Sequence, residues 1–178
     1  VALDLISQSE HSTDTFCYLI TDSEKLAKSV DKIITVLSNK IKRNVIVKTS
    51  LKQNGFIAIC RNKSDMIKLA NDLAPEHLQI MTKDPHTFAS KITSSGLILL
   101  GNDTPSSASD YLLGSNHILP TNGFGKTRGS LSVLDFIKIN TQISASKSVL
   151  AKISKYMEIF TNAEGLPNHY EAVRGRMK

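Results

Sequence analysis

Short apolar runs alternate with stretches of helical periodicity from residue 16 to residue 101, and this alternation restricts the chain to a few folds. Four of the apolar runs are predicted to be strands, at residues 16–20, 55–60, 77–81 and 96–100. Helices are predicted between them because polar segments that can cap a helix follow the strands: Thr21-Asp22-Ser23, Asn62-Lys63-Ser64-Asp65 and Asp84-Pro85. Strands that alternate with helices in this way form right-handed βαβ units, whose strands run parallel. We therefore expect an α/β fold: a mainly parallel sheet with flanking helices, in an incomplete Rossmann-like arrangement.

Two segments depart from this pattern. Residues 44–53 contain the run Val45-Ile46-Val47 and fit either a strand or a short helix. Residues 102–130 are rich in Gly, Ser, Thr, Asn and Pro, which is typical of a long loop that contributes to a site. Helices are then predicted at residues 146–161 and after Pro167. The expected division is residues 1–130, an α/β part of a larger domain, and residues 131–178, a mainly helical C-terminal extension.

The composition excludes several classes of protein. Apolar residues make up 40% of the chain, which is too many for a disordered protein. No run approaches the roughly 20 apolar residues that a membrane-spanning helix needs. Cys17 and Cys60 lie in separate apolar runs and are typical of free thiols in a reducing compartment, so we expect a cytoplasmic protein. The chain starts without Met and without an N-cap before Leu3 and Ile6, and we expect it to be a piece of a longer protein.

The net charge of +6 results from 22 Lys and Arg residues against 16 Asp and Glu residues. The basic residues are scattered and lack the interleaved aromatic residues of a stacking platform, so we expect neither nucleic acid nor a membrane as a partner. A non-catalytic module that binds an anionic partner through its basic surface is kept as an alternative to an enzyme.

Four of the five histidines stand near side chains that could assist them in chemistry. Gln8 and His11 are three residues apart on the predicted first helix, so their side chains share one face. Such a pair fits either a metal site or ordinary surface and interhelix hydrogen bonding. Glu76 and His77 are adjacent where a helix gives way to a strand, a pairing that suits general acid–base catalysis. A helix-ending proline followed by two polar residues explains the same sequence without catalysis.

The other candidates lie further along the chain. Asp110 and His117 fall in the long loop, where catalytic groups are common but where Asp and Asn also simply favour turns. Glu164 and His169 place a carboxylate and an imidazole around the start of the last predicted helix. His86 has no predicted role.

The sequence Gly123-Phe124-Gly125-Lys126-Thr127 ends like a phosphate-binding P-loop. The P-loop spacing requires a glycine at residue 120, which is proline, and the dinucleotide fingerprint requires one at residue 128, which is arginine. We therefore interpret the segment as a glycine-rich hairpin or mobile flap without a bound nucleotide.

Five segments carry a resemblance to a known family, and in chain order they read DLISQSEH, APEHLQI, SDYLLGSNHILPT, SLSVLDF and AEGLPNH. Together they resemble histidinol dehydrogenase over essentially the whole of this chain, but only over the later part of the family's polypeptide. The resemblance implies oxidation of L-histidinol to L-histidine through histidinal, with two NAD and one zinc ion that orients the substrate. It also implies a homodimer, in which the C-terminal segment serves for dimerisation and reaches the active site of the partner subunit.

The resemblance implies a role for each candidate residue. The implied zinc ligands are Gln8, His11, Asp110 and His169. Glu76 and His77 are the implied acid–base pair, in which His77 takes the hydroxyl proton and Glu76 activates a water molecule. The implied substrate-binding residues are Gln8, His11, His77, Asp110, His117, Glu164 and His169. The residues that bind NAD are expected in the missing N-terminal part, so the isolated chain is expected to be inactive.

Two details of the resemblance concern individual positions. Glu164 and His169 are implied to serve the neighbouring subunit, whereas the other implied zinc ligands serve their own. Ser109 stands where the family commonly has glycine, so a positive φ angle at this residue would strain the loop.

Overall fold

The computed structural model describes residues 1–177, which fall into two compact units, one at residues 1–136 and one beginning at residue 137. In chain order the first unit contains α1 (Ala2–Ser9), β1 (Cys17–Thr21), α2 (Glu24–Leu37), α3 (Asn44–Asn54), β2 (Gly55–Ile59), α4 (Lys63–Leu73), β3 (His77–Ile80), α5 (Pro85–Ala89), β4 (Leu97–Leu100) and α6 (Ser106–Ser109). Two 3-10 turns follow α6, at Phe124–Lys126 and Val133–Phe136. The second unit contains α7 (Lys147–Ala163) and α8 (Pro167–Arg174). The predicted α/β class, with short parallel strands and flanking helices, is confirmed.

The strands form two separate parallel pairs. β1 pairs with β2 in a register that runs from Cys17 opposite Gly55, and β3 pairs with β4 from His77 opposite Leu97. Among residues 1–177 the two pairs do not join, so the prediction of one mainly parallel sheet is wrong in this respect. The reason is that apolar runs indicate which segments are strands but carry no information about which strand edges meet.

The helix starts in the first unit follow from side-chain capping. One residue of each predicted capping segment accepts a hydrogen bond from a main-chain N–H three residues on: Ser23 from Leu26, Asn62 from Asp65 and Asp84 from Thr87. Such a bond satisfies one of the donors that the first turn of a helix leaves unpaired. The three predicted helices therefore begin where the sequence places their caps.

The ambiguous segment at residues 44–53 is a helix, α3, despite its β-branched residues. Val47 and Ser50 lie three residues apart on one face of this helix and are both fully buried. The Ser50 hydroxyl donates to the main-chain carbonyl of Thr15 at 2.8 Å, so the buried polar group is satisfied. The helix passes into β2 without a loop at Gly55, where a Cβ atom would lie 2.6 Å from the carbonyl oxygen of Leu51. Burial and close packing therefore decide the conformation of this segment.

The predicted long loop contains some regular structure. α6 occupies four residues near its start, and the segment around Gly123 forms a 3-10 turn. Because no strand lies between residues 118 and 131, the expectation of a hairpin there is wrong. None of the helices described in residues 1–177 has the length and apolarity that crossing a bilayer requires.

The second unit is a pair of helices that pack against each other. Ser146 caps α7 by accepting from the main-chain N–H of Val149, and Pro167 occupies the first turn of α8, where a missing N–H costs little. Lys178, the last residue of the predicted C-terminal extension, lies outside the described residues.

Candidate active site

Three of the predicted site residues come together around one carboxylate oxygen. Oδ1 of Asp110 lies 3.3 Å from Nε2 of His77 and 3.4 Å from Nδ1 of His117. The side chains of Asp110 and His77 are 10% and 12% exposed, whereas that of His117 is 68% exposed. A buried carboxylate needs a partner, and here two imidazoles supply it. The arrangement can hold His77 in a fixed orientation and stabilise it when it takes up a proton.

His77 is the first residue of β3, and the chain reaches it through a sharp change of direction. α4 ends at Ala74, which is buried and adopts a left-handed conformation with φ 47° and ψ 59°. Pro75 follows, and a helix cannot readily extend into the residue before a proline. A left-handed cap is normally glycine, so the alanine side chain here costs on the order of 1 kcal/mol. This strained residue lies directly before the segment that carries Glu76 and His77.

Glu76 is held by its main chain rather than by its side chain. Its carbonyl oxygen accepts from the main-chain N–H of Leu97 at 2.8 Å, next to the first residue pair of β3 and β4. Within residues 1–177 its carboxylate forms no hydrogen bond, and the residue is half-buried. Among the described residues, the carboxylate is therefore not engaged by another protein group.

Asp110 follows the last residue of the short helix α6. Ser106 and Ser109 are buried, and the Ser109 hydroxyl donates to the carbonyl of Ser106 at 2.7 Å. The Ser115 hydroxyl donates to the carbonyl of Ser109 at 2.8 Å, which ties the following loop back to the helix. Ser109 belongs to α6 and does not have a positive φ angle, so the strain considered for this position does not arise.

The face predicted for Gln8 and His11 is not formed, because α1 ends at Ser9 and His11 lies beyond it in a turn. The Ser9 hydroxyl donates to the carbonyl of Ile6, and a run of polar residues follows, so the helix has no apolar face to continue. His11 is exposed, and the Arg43 guanidinium donates to its main-chain carbonyl at 3.4 Å.

The implied zinc ligands are only partly brought together. α1, which carries Gln8, packs against α6, and Asp110 is the C-cap of α6. In the part of the chain that the structure describes, neither Gln8 nor His11 forms a hydrogen bond or ion pair with the Asp110 carboxylate, and no three His, Cys, Asp or Glu side chains are arranged to hold a metal ion.

Glu164 and His169 lie in the second unit. Glu164 is the C-cap of α7, and His169 is in the first turn of α8, where its main-chain N–H donates to the carbonyl of Leu166 at 3.0 Å. Both residues are exposed, and Gly165 between the two helices has a φ angle of 72°, a conformation that glycine adopts without strain.

A sequence model described as histidinol dehydrogenase matches residues 1–177 of this chain. The chain belongs to the histidinol dehydrogenase family. The histidinol dehydrogenase of Methanopyrus kandleri is 37% identical over 177 residues, and that of Oceanobacillus iheyensis is 39% identical over 176 residues. Each match covers 99% of this chain and 41% of the relative, so the chain spans about two fifths of the length of these curated relatives.

A solved structure of a histidinol dehydrogenase has the same fold over this chain. The crystal structure of the enzyme from Elizabethkingia anophelis aligns with a TM-score of 0.84 at 33% sequence identity. The alignment covers 99% of this chain and 40% of that chain. Membership of the histidinol dehydrogenase family implies an oxidoreductase, and it agrees with the resemblance of the five motifs.

Proposed function

We propose that this chain forms part of an L-histidinol dehydrogenase, which oxidises L-histidinol to L-histidine through histidinal with two NAD. The contact that carries this proposal is the 3.3 Å approach of His77 to Asp110, at the start of β3 and directly after Glu76. The family match supports the same reaction class. The alternative, a non-catalytic module for an anionic partner, has no comparable feature in its favour.

His77 is the proposed base of the first oxidation. Its Nε2 is held against Asp110, which leaves Nδ1 to accept the hydroxyl proton of the alcohol as the hydride leaves the same carbon. The Asp110 carboxylate stabilises the imidazolium that forms, because the two groups are largely shielded from solvent. When bound, zinc orients the substrate and NAD accepts its hydrides.

Glu76 is the proposed base of the second oxidation. The aldehyde must add water before a second hydride can leave, and the Glu76 carboxylate can take a proton from that water because no protein group within residues 1–177 occupies it. In this scheme His77 takes the proton in the first oxidation, and the adjacent Glu76 takes the proton in the second.

Gln8, His11, Asp110 and His169 would hold the zinc ion. Imidazole nitrogen and carboxylate oxygen are ordinary zinc ligands, and the amide oxygen of Gln8 adds a neutral donor. The packing of α1 against α6, which brings the elements of Gln8 and Asp110 together, supports this set. His117 and Glu164 would contact the substrate; a carboxylate at Glu164 suits an ammonium group.

The proposed protein is a cytoplasmic homodimer. Residues 1–130 would contribute the zinc and substrate groups of one active site, and the helices of residues 131–178 would carry Glu164 and His169 to the neighbouring one. Since the chain spans only 41% of its relatives, the NAD contacts would lie outside it, and the chain alone is expected to be inactive.

The test compares two histidine variants of the full-length protein. His77→Ala is expected to lower NADH formation from L-histidinol by about a hundredfold or more, because general base catalysis contributes that much. His86→Ala is the matched control, since His86 is exposed on α5 and has no proposed role.

Unchanged turnover in His77→Ala would contradict the assignment of the base. NADH production from L-histidinol by the isolated 178-residue chain would contradict the expectation that it is inactive. A wild-type full-length protein without any histidinol-dependent NADH formation would remove the proposed function itself.

A further inference from the structure

Residues 118–131, which we call the brace segment, form a closed loop that the proposed reaction does not use. The main-chain N–H of Leu131 donates to the carbonyl of Ile118 at 2.9 Å, so the two ends of the segment are tied together. The 3-10 turn Phe124–Lys126 lies between them; it contains Gly125 of the P-loop-like motif, and Gly123 is its N-cap. A P-loop needs a strand before it and an α-helix after it, and the segment has neither.

The brace segment lies against Gly96, which in turn lies against the junction that carries Glu76 and His77. A Cβ atom at Gly96 would be 2.7 Å from the carbonyl oxygen of Glu76 and 2.9 Å from Cδ of Pro120. The main-chain N–H of Gly96 also donates to the carbonyl of Pro75 at 3.0 Å. Gly96 therefore lies between the two segments so closely that the Cβ atom of any other residue would overlap the Glu76 carbonyl and the Pro120 ring.

Two glycines of the brace segment lie close to the same main chain. A Cβ atom at Gly125 would lie 3.2 Å from the nitrogen of Gly96 and 3.2 Å from Cα of Ser95. One at Gly129 would lie 3.7 Å from the carbonyl oxygen of Gly96, which is an ordinary van der Waals distance. Gly125 of the motif thus permits main chain to approach main chain, whereas a Cβ atom at Gly123 would meet nothing within 4 Å.

Lys126, the lysine of the motif, has a protein carboxylate in its surroundings. The pKa of Asp72 at the end of α4 is lowered, chiefly by its hydrogen bond with Lys68 and to a lesser degree by the charges of Lys68 and Lys126. The positive charge of Lys126 therefore acts on α4, the helix that leads into the Glu76–His77 junction.

We propose that the brace segment positions Glu76 and His77, and that Gly96 is the positioning residue through which it acts. The proposal rests on the proposed function, in which these two residues are the catalytic bases. The close approaches of the brace segment and of the Glu76 carbonyl to Gly96 fix that carbonyl, and a displacement of about 1 Å in such a group can lower turnover by up to about a hundredfold.

The test uses Gly96→Ala in the full-length enzyme, with Gly129→Ala as the matched control. The added methyl group overlaps the Glu76 carbonyl only at residue 96, so kcat is expected to fall by about tenfold or more in Gly96→Ala and to stay unchanged in Gly129→Ala. KM for L-histidinol and the zinc content are expected to stay within about twofold of wild type, because the ligands are not moved. Equal kcat in the two variants, or a rise in KM with loss of zinc, would overturn the proposal.

If Gly96→Ala does not fold, Pro120→Ala tests the role of the brace segment instead. This variant removes the ring that lies against Gly96 and adds no overlap, so it is expected to fold and to lower kcat several-fold with unchanged KM. Unchanged kcat in Pro120→Ala would refute the role of the brace segment.

Hydrogen exchange separates this proposal from the proposed function. The Leu97 amide, which donates to the Glu76 carbonyl, is expected to exchange about tenfold faster in Gly96→Ala or Pro120→Ala than in Gly129→Ala. This measurement does not depend on enzyme activity. An inactive wild-type enzyme would refute the proposed reaction, whereas equal exchange of the Leu97 amide in all variants would refute the positioning role of the brace segment.

Discussion

The buried thiol of Cys17 makes the stability of this chain depend on pH in alkaline solution. Cys17 is the first residue of β1 and is 5% exposed, and burial raises the pKa of its thiol from the ordinary value of 9.0 to about 11. Below pH 9 the thiol is neutral in the folded and the unfolded chain, so its full contribution to stability is present. As the pH rises from 9 towards 11, the unfolded chain loses the proton first, and that contribution is progressively lost.

The size of the effect follows from the two pKa values. Because one pKa unit corresponds to a little over 1 kcal/mol, the free energy of unfolding is expected to fall by about 1 kcal/mol at pH 10 and by about 3 kcal/mol well above pH 11. The perturbation that isolates this contribution is Cys17→Ala, which removes the thiol and leaves the other titrating groups in place.

Urea unfolding of the 178-residue chain and of Cys17→Ala, followed by circular dichroism, measures the difference. The difference in the free energy of unfolding between the two proteins is expected to shrink by about 1 kcal/mol between about pH 7 and about pH 10. Burial, together with the charge of Cys17, also raises the pKa of Tyr18, so the comparison stops at pH 10. The same gap at both pH values would refute the reasoning that burial controls this thiol.

The remaining predictions concern the proposed site and the P-loop-like motif. Asp110→Asn in the full-length enzyme is expected to lower both zinc content and turnover by roughly tenfold to a hundredfold, because it removes a proposed ligand and the partner of His77. Metal analysis with NADH formation checks this, and a fully loaded, fully active variant would contradict it. Lys126→Ala is expected to leave nucleotide affinity unchanged in a titration with ATP, since the segment is not a P-loop. A loss of ATP binding on this substitution would show that the motif holds phosphate after all.

Local features of the fold could be predicted from the sequence because they depend on neighbouring residues. Asn62 and Asp84 cap their helices by bonding to main-chain groups three residues away, and apolar runs mark the four strands. The conformation of α3 could not be predicted, because it depends on the burial of Val47 and on the bond from Ser50 to Thr15, 35 residues away in the chain. The separation of the four strands into two pairs likewise depends on contacts between residues that are far apart in the chain.

The candidate site shows the same limit. The sequence indicated His77 and Asp110 by their type and their neighbours, but their contact joins residues 33 positions apart and only the fold reveals it. α1 ends at Ser9, before His11, and the spacing of Gln8 and His11 did not indicate where the helix ends. The role proposed for Gly96 rests on the absence of a side chain at a crowded point, and no sequence pattern marks such a point.

The parallel pairing of the strands has a consequence for the order in which the first unit folds. Cys17 and Gly55 pair across 38 positions of the chain, whereas His77 and Leu97 pair across only 20. Closing the shorter loop costs about 0.6 kcal/mol less chain entropy, so β3 and β4 are expected to associate before β1 and β2. When the complete chain refolds, the Glu76–His77 junction would thus form around its shorter crossover first, and the longer crossover between β1 and β2 would close afterwards.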